Sequence, residues 1–246
     1  MPQVRCVKRS SPWPARFDRW QSLSGLALAL FIWIHLTGDS SILLGPDAFA
    51  AVGHFWEGYP LLPRPYPVLT TLAGIGILLL IIVHAFLAMR KFPASARQWK
   101  VMHAQARDLR HGDTTLWLVQ AWTGFAMFFL APVHLFVVIA RPDEIGPIAS
   151  AQRVVHEGFW VLYLLLILAV VPHAAIGLYR LGVKWGVVGG KTLSRRLARG
   201  VAWTLIVGFV LLSLLALGEF IRIGLANPPQ TAGWLPAAPA LVESIA

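Results

Sequence analysis

The stretch PVLTTLAGIGILLLIIVHAFLAMRKFP, residues 67–93, decides the fold. It opens on a proline, which suits the first turn of a helix. From Pro67 to Met89 it carries no Asp, Glu, Lys or Arg, and Arg90 and Lys91 then close it. An apolar run of about twenty residues is the length that crosses the hydrocarbon core of a bilayer. His84 stands near the end of that run, an imidazole placed in oil shortly before the chain reaches water.

Working outward, the same pattern recurs at roughly 22–44, 115–140, 154–179 and 201–223 beside 67–89. The chain is 57% hydrophobic and 13% charged, with a mean hydropathy of +0.66. A soluble domain is about a quarter charged. The expected fold is an all-α membrane protein, in which residues 1–246 form a single integral membrane domain of five transmembrane helices in a bundle. Asp113 fits a cap for the third span. Pro132 and Pro172 fall inside spans, where neighbours satisfy the carbonyl that each frees. No internal repeat is evident. The single cysteine, Cys6, leaves no internal disulfide and no cysteine-ligated iron–sulfur cluster, and it reads as an ordinary thiol. The first apolar run is too long for a cleaved signal peptide.

The net charge of +10 could point to nucleic acid, but the positions of the charges favour a membrane topology. Residues 1–20 hold five Lys or Arg, residues 90–114 hold six, and residues 180–200 hold six. The remaining loops and the C-terminal tail hold four, Arg64, Arg141, Arg153 and Arg222. Positive-inside bias puts the N-terminus in the cytoplasm and the C-terminus outside, which requires an odd number of spans. A bacterial inner membrane is the expected location. The basic loops also suit a docking face for a partner, and no nucleic acid is needed to explain them.

Four of the eight histidines lie inside spans, His35, His84, His134 and His173, each on a different one. Ionisable groups in apolar membrane are costly and usually functional. At about 1.5 Å per residue, depths can be compared. His35 and His134 lie 14 and 19 residues along outward-running helices, counted from Gln21 and Thr115. His84 and His173 lie six and seven residues before Arg90 and Arg180 on inward-running helices. They form an outer pair, His35 with His134, and an inner pair, His84 with His173. Two neutral imidazoles can clamp one haem iron and leave no open position, which favours electron transfer. Two stacked clamps would make a wire across the membrane. Gly25, Gly74, Gly76, Gly124 and Gly177 would leave room for macrocycles. No CxxCH is present, so such haem would be held without covalent attachment. A metal transporter and histidines that only pack a bundle are the alternatives at this stage. A transporter predicts repeated halves, broken helices and more acidic residues inside spans, whereas Glu219 is the carboxylate read as deep in an apolar run.

The stretches RWQSLSG (19–25), SSILLG (40–45), HAFLAMRKFP (84–93), RHGDTTLW (110–117), QAWTGFAMFFLAPVH (120–134) and HAAIGLYRLGVKWG (173–186) carry a resemblance. The sequence resembles the cytochrome b membrane subunit of the dihaem fumarate reductase and succinate dehydrogenase family, over most of residues 19–186. The resemblance implies a three-subunit complex with cytoplasmic partners: an iron–sulfur subunit, and a flavoprotein with FAD at the succinate/fumarate site. It implies two haem b groups and menaquinol as the membrane substrate. It matches His84 and His173 to the ligands of the proximal haem, and His35 and His134 to those of the distal haem. Gln21, Ser22, Trp117 and Lys184 match contacts of the proximal propionates, and Arg153 matches the arginine near the distal ones.

Glu57, in the outer loop with His54 and Tyr59, matches the family glutamate of quinol oxidation, and a carboxylate there can take the protons that leave with the electrons. His156 and Glu157, read as the start of the fourth span, form a further candidate proton pair. One departure matters. Two residues before the proximal ligand on helix four, the best-known family branch carries a glutamate thought to relay protons; this chain has Val171. The same architecture could run in the opposite direction as a succinate:menaquinone reductase, or serve another redox complex.

Overall fold

The computed structural model describes residues 11–109, 112–189 and 193–229. Cys6, residues 110–111 of the stretch RHGDTTLW, and the tail beyond 229 lie outside them. The described elements are all helical: α1 Trp13–Asp39, α2 Pro46–Trp56, α3 Pro67–Met89, α4 Ala96–Leu109, α5 Gly112–Ala140, α6 Pro147–His156, α7 Phe159–Lys184 and α8 Arg195–Ala226. Two short 3-10 turns, Ser40–Leu44 and Pro142–Glu144, extend α1 and precede α6.

Five of the helices, α1, α3, α5, α7 and α8, are long and apolar enough to cross a membrane, as the hydropathy requires. Their outward faces carry large exposed apolar side chains such as Leu79, Phe86, Phe136 and Leu215, a surface suited to lipid and not to water. The chain is a multi-pass membrane protein.

Local chemistry sets the ends of these helices. Pro67 occupies the first turn of α3, preceded by extended Tyr66. Ser194 caps α8 by accepting a hydrogen bond from the Leu197 amide at 3.2 Å. Asp113 lies inside the first turn of α5, where its carboxylate accepts from the Tyr179 hydroxyl at 2.7 Å and from Arg195 at 3.3 Å. These two bonds tie α5, α7 and α8 together at one end.

One boundary differs from the sequence reading. The fourth span begins at Phe159 and not near 154, because Gly158 takes a left-handed conformation (φ 75°) that ends one helix and starts another. Residues 147–156 form the separate surface helix α6.

The packing order positions the site. α1 packs on α3, α3 on α5, α5 on α7, and α7 back on α1. These four close a ring, with α1 and α5 on one diagonal and α3 and α7 on the other. α8 lies outside the ring, mainly against α6 and α7. A core of Leu36, Val154, Ile167, Val171 and Leu217 seals α1, α6, α7 and α8 to one another.

The ring also exposes a repeat that the hydropathy hides. Helix α1 reads QSLSGLALALFIWIH over 21–35, and α5 reads QAWTGFAMFFLAPVH over 120–134. Both follow Gln-x2-[Ser/Thr]-Gly-x9-His, and each partner helix, α3 and α7, carries His-Ala, at 84–85 and 173–174. The expectation of no repeat is therefore corrected: the recurring positions are polar or small (glycine, alanine), because lipid-facing and packing positions accept almost any apolar residue.

Candidate functional site

The helical ring encloses one continuous cavity of about 1940 Å³. Ordinary ligand pockets hold about 300–1,000 Å³, so this one has room for more than a single group. All four intramembrane histidines line it. His35 on α1 and His134 on α5 face each other across one diagonal, with ring centroids 6.0 Å apart. His84 and His173 belong to the other diagonal. Each pair thus takes one histidine from each copy of the repeat.

The repeat explains how the inner rings are held. The Ser24 hydroxyl is 3.1 Å from His84 Nδ1, with the Gln21 carbonyl beside it. In the second copy, His173 Nδ1 donates to the Gln120 carbonyl at 2.9 Å, and the Thr123 hydroxyl lies 3.4 Å away. A Cβ on Gly25 would come within 2.8 Å of His84, and one on Gly124 within 2.8 Å of His173. Only glycine lets each ring rest on the neighbouring helix. With Nδ1 committed to the protein, Nε2 is the nitrogen left for a metal, the usual way an outer partner fixes a ligand histidine.

The outer pair is held differently. His35 Nε2 is 3.4 Å from Asp39, one turn along α1. The buried His134 Nδ1 has no protein partner, and the His134 ring meets Tyr163 edge-on at 5.6 Å. Two imidazoles bonded through one nitrogen each to a single metal atom, at about 2 Å per bond, have centroids roughly 6 Å apart. The observed separation fits such a group. Taken with the Nδ1 bonds and the glycine cradles of the inner pair, the donor set fits two bis-imidazole haem sites.

Polar groups mark both ends of the cavity, labelled inner and outer after the topology expected from the basic loops. At the inner end, Gln21, Ser22, Trp117 and Lys184 all line it. Lys184 Nζ donates to Ser22 Oγ at 2.6 Å and to the Asp18 carbonyl at 3.0 Å. The Asp18 carboxylate pairs with both Lys184 and Lys91, which joins α1, α7 and the segment after α3. At the outer end, Arg153 is 4% exposed and donates to the Glu144 carbonyl at 2.9 Å. Its Nε has no partner, a buried donor that suits an anion.

Glu57 closes α2 at the outer mouth, and both it and His54 line the cavity. The turn behind it needs glycine. Gly58 has φ 92°, and a Cβ there would meet Leu62 at 2.7 Å. Tyr66 N then bonds the Glu57 carbonyl at 3.0 Å and closes the loop. Burial pushes the Glu57 carboxyl above the usual glutamate range; His54 opposes the shift and Asp143 adds to it.

Two sequence candidates fall elsewhere. His156 ends α6 instead of starting a span, and its Nε2 lies 3.2 Å from the Gly224 carbonyl of α8. Glu157 faces Arg141 at 3.5 Å. Neither lines the cavity. Glu219 pairs with Arg222 one turn on and also stays outside it. The sequence reading missed Asp18, Asp39, Gln120, Tyr163 and Arg180 as cavity-lining residues, and Thr123 as a neighbour of His173. The spacing of Asp39 four residues after His35 was a visible signal, as was the repeat for Gln120 and Thr123.

Comparison with known proteins identifies the family. A family model described as the succinate dehydrogenase/fumarate reductase transmembrane subunit matches residues 97–215. A fumarate reductase cytochrome b subunit of Helicobacter pylori (strain ATCC 700392 / 26695) is 46% identical over 213 residues, 87% of this chain and 83% of that protein. Its counterpart in Wolinella succinogenes is 42% identical over 220 residues, 89% of this chain and 86% of that protein. Identity at this level over most of both chains extends well beyond the histidines, and the chain belongs to the family of fumarate reductase and succinate dehydrogenase cytochrome b subunits.

Proposed function

We propose that this chain, the membrane-anchored, quinol-oxidising and electron-transferring subunit of a fumarate reductase-type complex, works through two b haems held on the crossed histidine diagonals. His84 and His173 hold the proximal haem, and His35 and His134 the distal one. The observation that carries this reading is the pair of diagonals within a single cavity that reaches both ends of the bundle. Gln21, Ser22, Trp117 and Lys184 receive the proximal propionates with donors and a cation, and Arg153 receives the distal ones through its open Nε.

When bound, the haems supply two one-electron carriers between the membrane faces. The chain's own part is to admit menaquinol at the outer mouth, to accept its protons at Glu57 with His54 nearby, and to keep water from the core. The N-terminus and the basic loops face the cytoplasm. There, residues 90–114 and 180–200 dock the iron–sulfur subunit, which joins the flavoprotein carrying FAD. The same anchor serves menaquinol-driven fumarate reduction or its reverse.

The test is purification of the assembled complex. A pyridine haemochrome assay is expected to give two b haems per chain, with quinol-driven fumarate reduction; a haem-free complex with that activity would overturn the proposal. Cross-linking is expected to join the iron–sulfur subunit to the 90–114 and 180–200 segments. Links confined to α2 or α6 would reverse the orientation.

Val171 is fully buried among apolar side chains and cannot relay a proton. Protons from quinol then leave on the outer side while electrons move inward. Turnover in ion-tight liposomes is therefore expected to build a membrane potential, read with a potential-sensitive dye. Each charge moved against 100 mV costs about 2.3 kcal/mol, so the route has thermodynamic weight. Normal turnover with no potential would mean that protons cross with the electrons.

A further inference from the structure

Arg180 lies in the last turns of α7 and lines the inner part of the cavity. Its Nη1 donates to the Gln120 side-chain oxygen at 2.5 Å. The other end of that amide presses on α7, where a Cβ at Gly177 would come within 2.9 Å of Gln120 Nε2. Glycine at 177, glutamine at 120 and arginine at 180 therefore form one assembled device that fixes a guanidinium against the cavity wall. Gln120 is also the residue whose carbonyl holds His173. The device thus connects a fixed cation directly to an inner histidine.

The charge is only partly compensated: the Asp113 carboxylate acts on it from a distance, while accepting directly from Tyr179 and Arg195. Among the described residues, no carboxylate lies within ion-pair distance of Arg180. Lys184 and Lys91 differ in this respect, since both are paired with Asp18. A partly buried cation in an apolar bundle is costly without a directly paired anion. A guanidinium has five N–H donors, and its Gln120 bond uses one. The remaining donors suit a planar carboxylate supplied by whatever fills the inner cavity.

We propose that Arg180, locked by Gln120 and Gly177, is a positioning residue that receives an anionic edge of the inner haem and raises the reduction potential of that haem alone. This rests on the two-haem reading above. Positive charge beside a haem favours the reduced, less positive iron, so removing it lowers the midpoint.

The experiment is a redox titration of the purified complex, first for wild type and then for R180Q, R180K and Q120L. Two b haems in wild type establish the underlying reading separately. R180Q is expected to shift one midpoint downward and leave the other in place; R180K is expected to stay near wild type. Loss of only the inner haem in R180Q also supports the proposal, since it reports a lost anchor. The inner haem is identified as the one missing from a His84→Ala complex. If R180Q fails to assemble, Q120L keeps the charge but removes the clamp, and a shift confined to the inner haem is expected. Two bound haems with wild-type midpoints in R180Q, or in Q120L where that is the variant read, would overturn the assignment.

Discussion

Replacing His84 by alanine is expected to halve the haem content of the purified complex, from two b haems per chain to one. His84 belongs to the inner diagonal, and its ring rests on Gly25 with Nδ1 beside Ser24. No other histidine of α3 can take its place, because His84 is the only one on that helix. The outer pair lies on the other diagonal and loses no ligand. The surviving spectrum should therefore be that of the outer haem, and His35→Ala should leave the complementary one. Quinol-driven fumarate reduction should fall to background in both, because either loss interrupts the wire. The Ser24 hydroxyl loses its ring partner but still donates to the Gln21 carbonyl at 3.1 Å, so the effect is read in haem content. Two full haems in the His84→Ala complex would break the diagonal assignment.

Glu57→Gln should remove a proton acceptor while keeping the shape of the outer mouth. A positioned general base contributes about 10²–10⁴-fold, so quinol-driven turnover is expected to fall at least about 100-fold. Both haem spectra should persist, and fumarate reduction driven by an artificial donor to the soluble subunits should stay near normal. The pH profile gives an independent reading. Burial raises the Glu57 carboxyl, so its protonated form persists to higher pH than the usual glutamate value of about 4.3. Only the deprotonated form accepts a proton. The wild-type rate should therefore drop as pH falls through that raised value, and the glutamine variant should lose this acid limb. Unchanged quinol activity would move the acceptor role to His54, which shares the mouth.

The spans and the four histidines were legible because both follow from one-dimensional rules. A helix must stay apolar for the thickness of the bilayer, and a charged or titratable group inside it stands out. The break at Gly158 was not legible, since Val154 and Val155 read as the start of a span and one left-handed glycine decides otherwise. Asp18 looked like an ordinary residue of a basic segment; its role depends on two lysines that lie 73 and 166 residues away. The Gln120–Arg180 bond is likewise made across 60 residues. Contacts of this kind come from the ring packing and leave no local trace, apart from the recurrence of glutamine, hydroxyl, glycine and histidine in α1 and α5.

That recurrence bears on how such a protein could arise and how it must be put together. Helices α1 and α3 supply one histidine at each depth, and α5 and α7 supply the same again. Neither hairpin owns a finished site, yet two hairpins inserted in the same direction own both. A small ancestral gene encoding a single hairpin could have made the entire wire as a homodimer, with later fusion free to specialise each copy. With haem held as proposed, each iron would join the two former subunits, so cofactor insertion would add a fastening between the halves to the direct packing of α1 on α7 and α3 on α5.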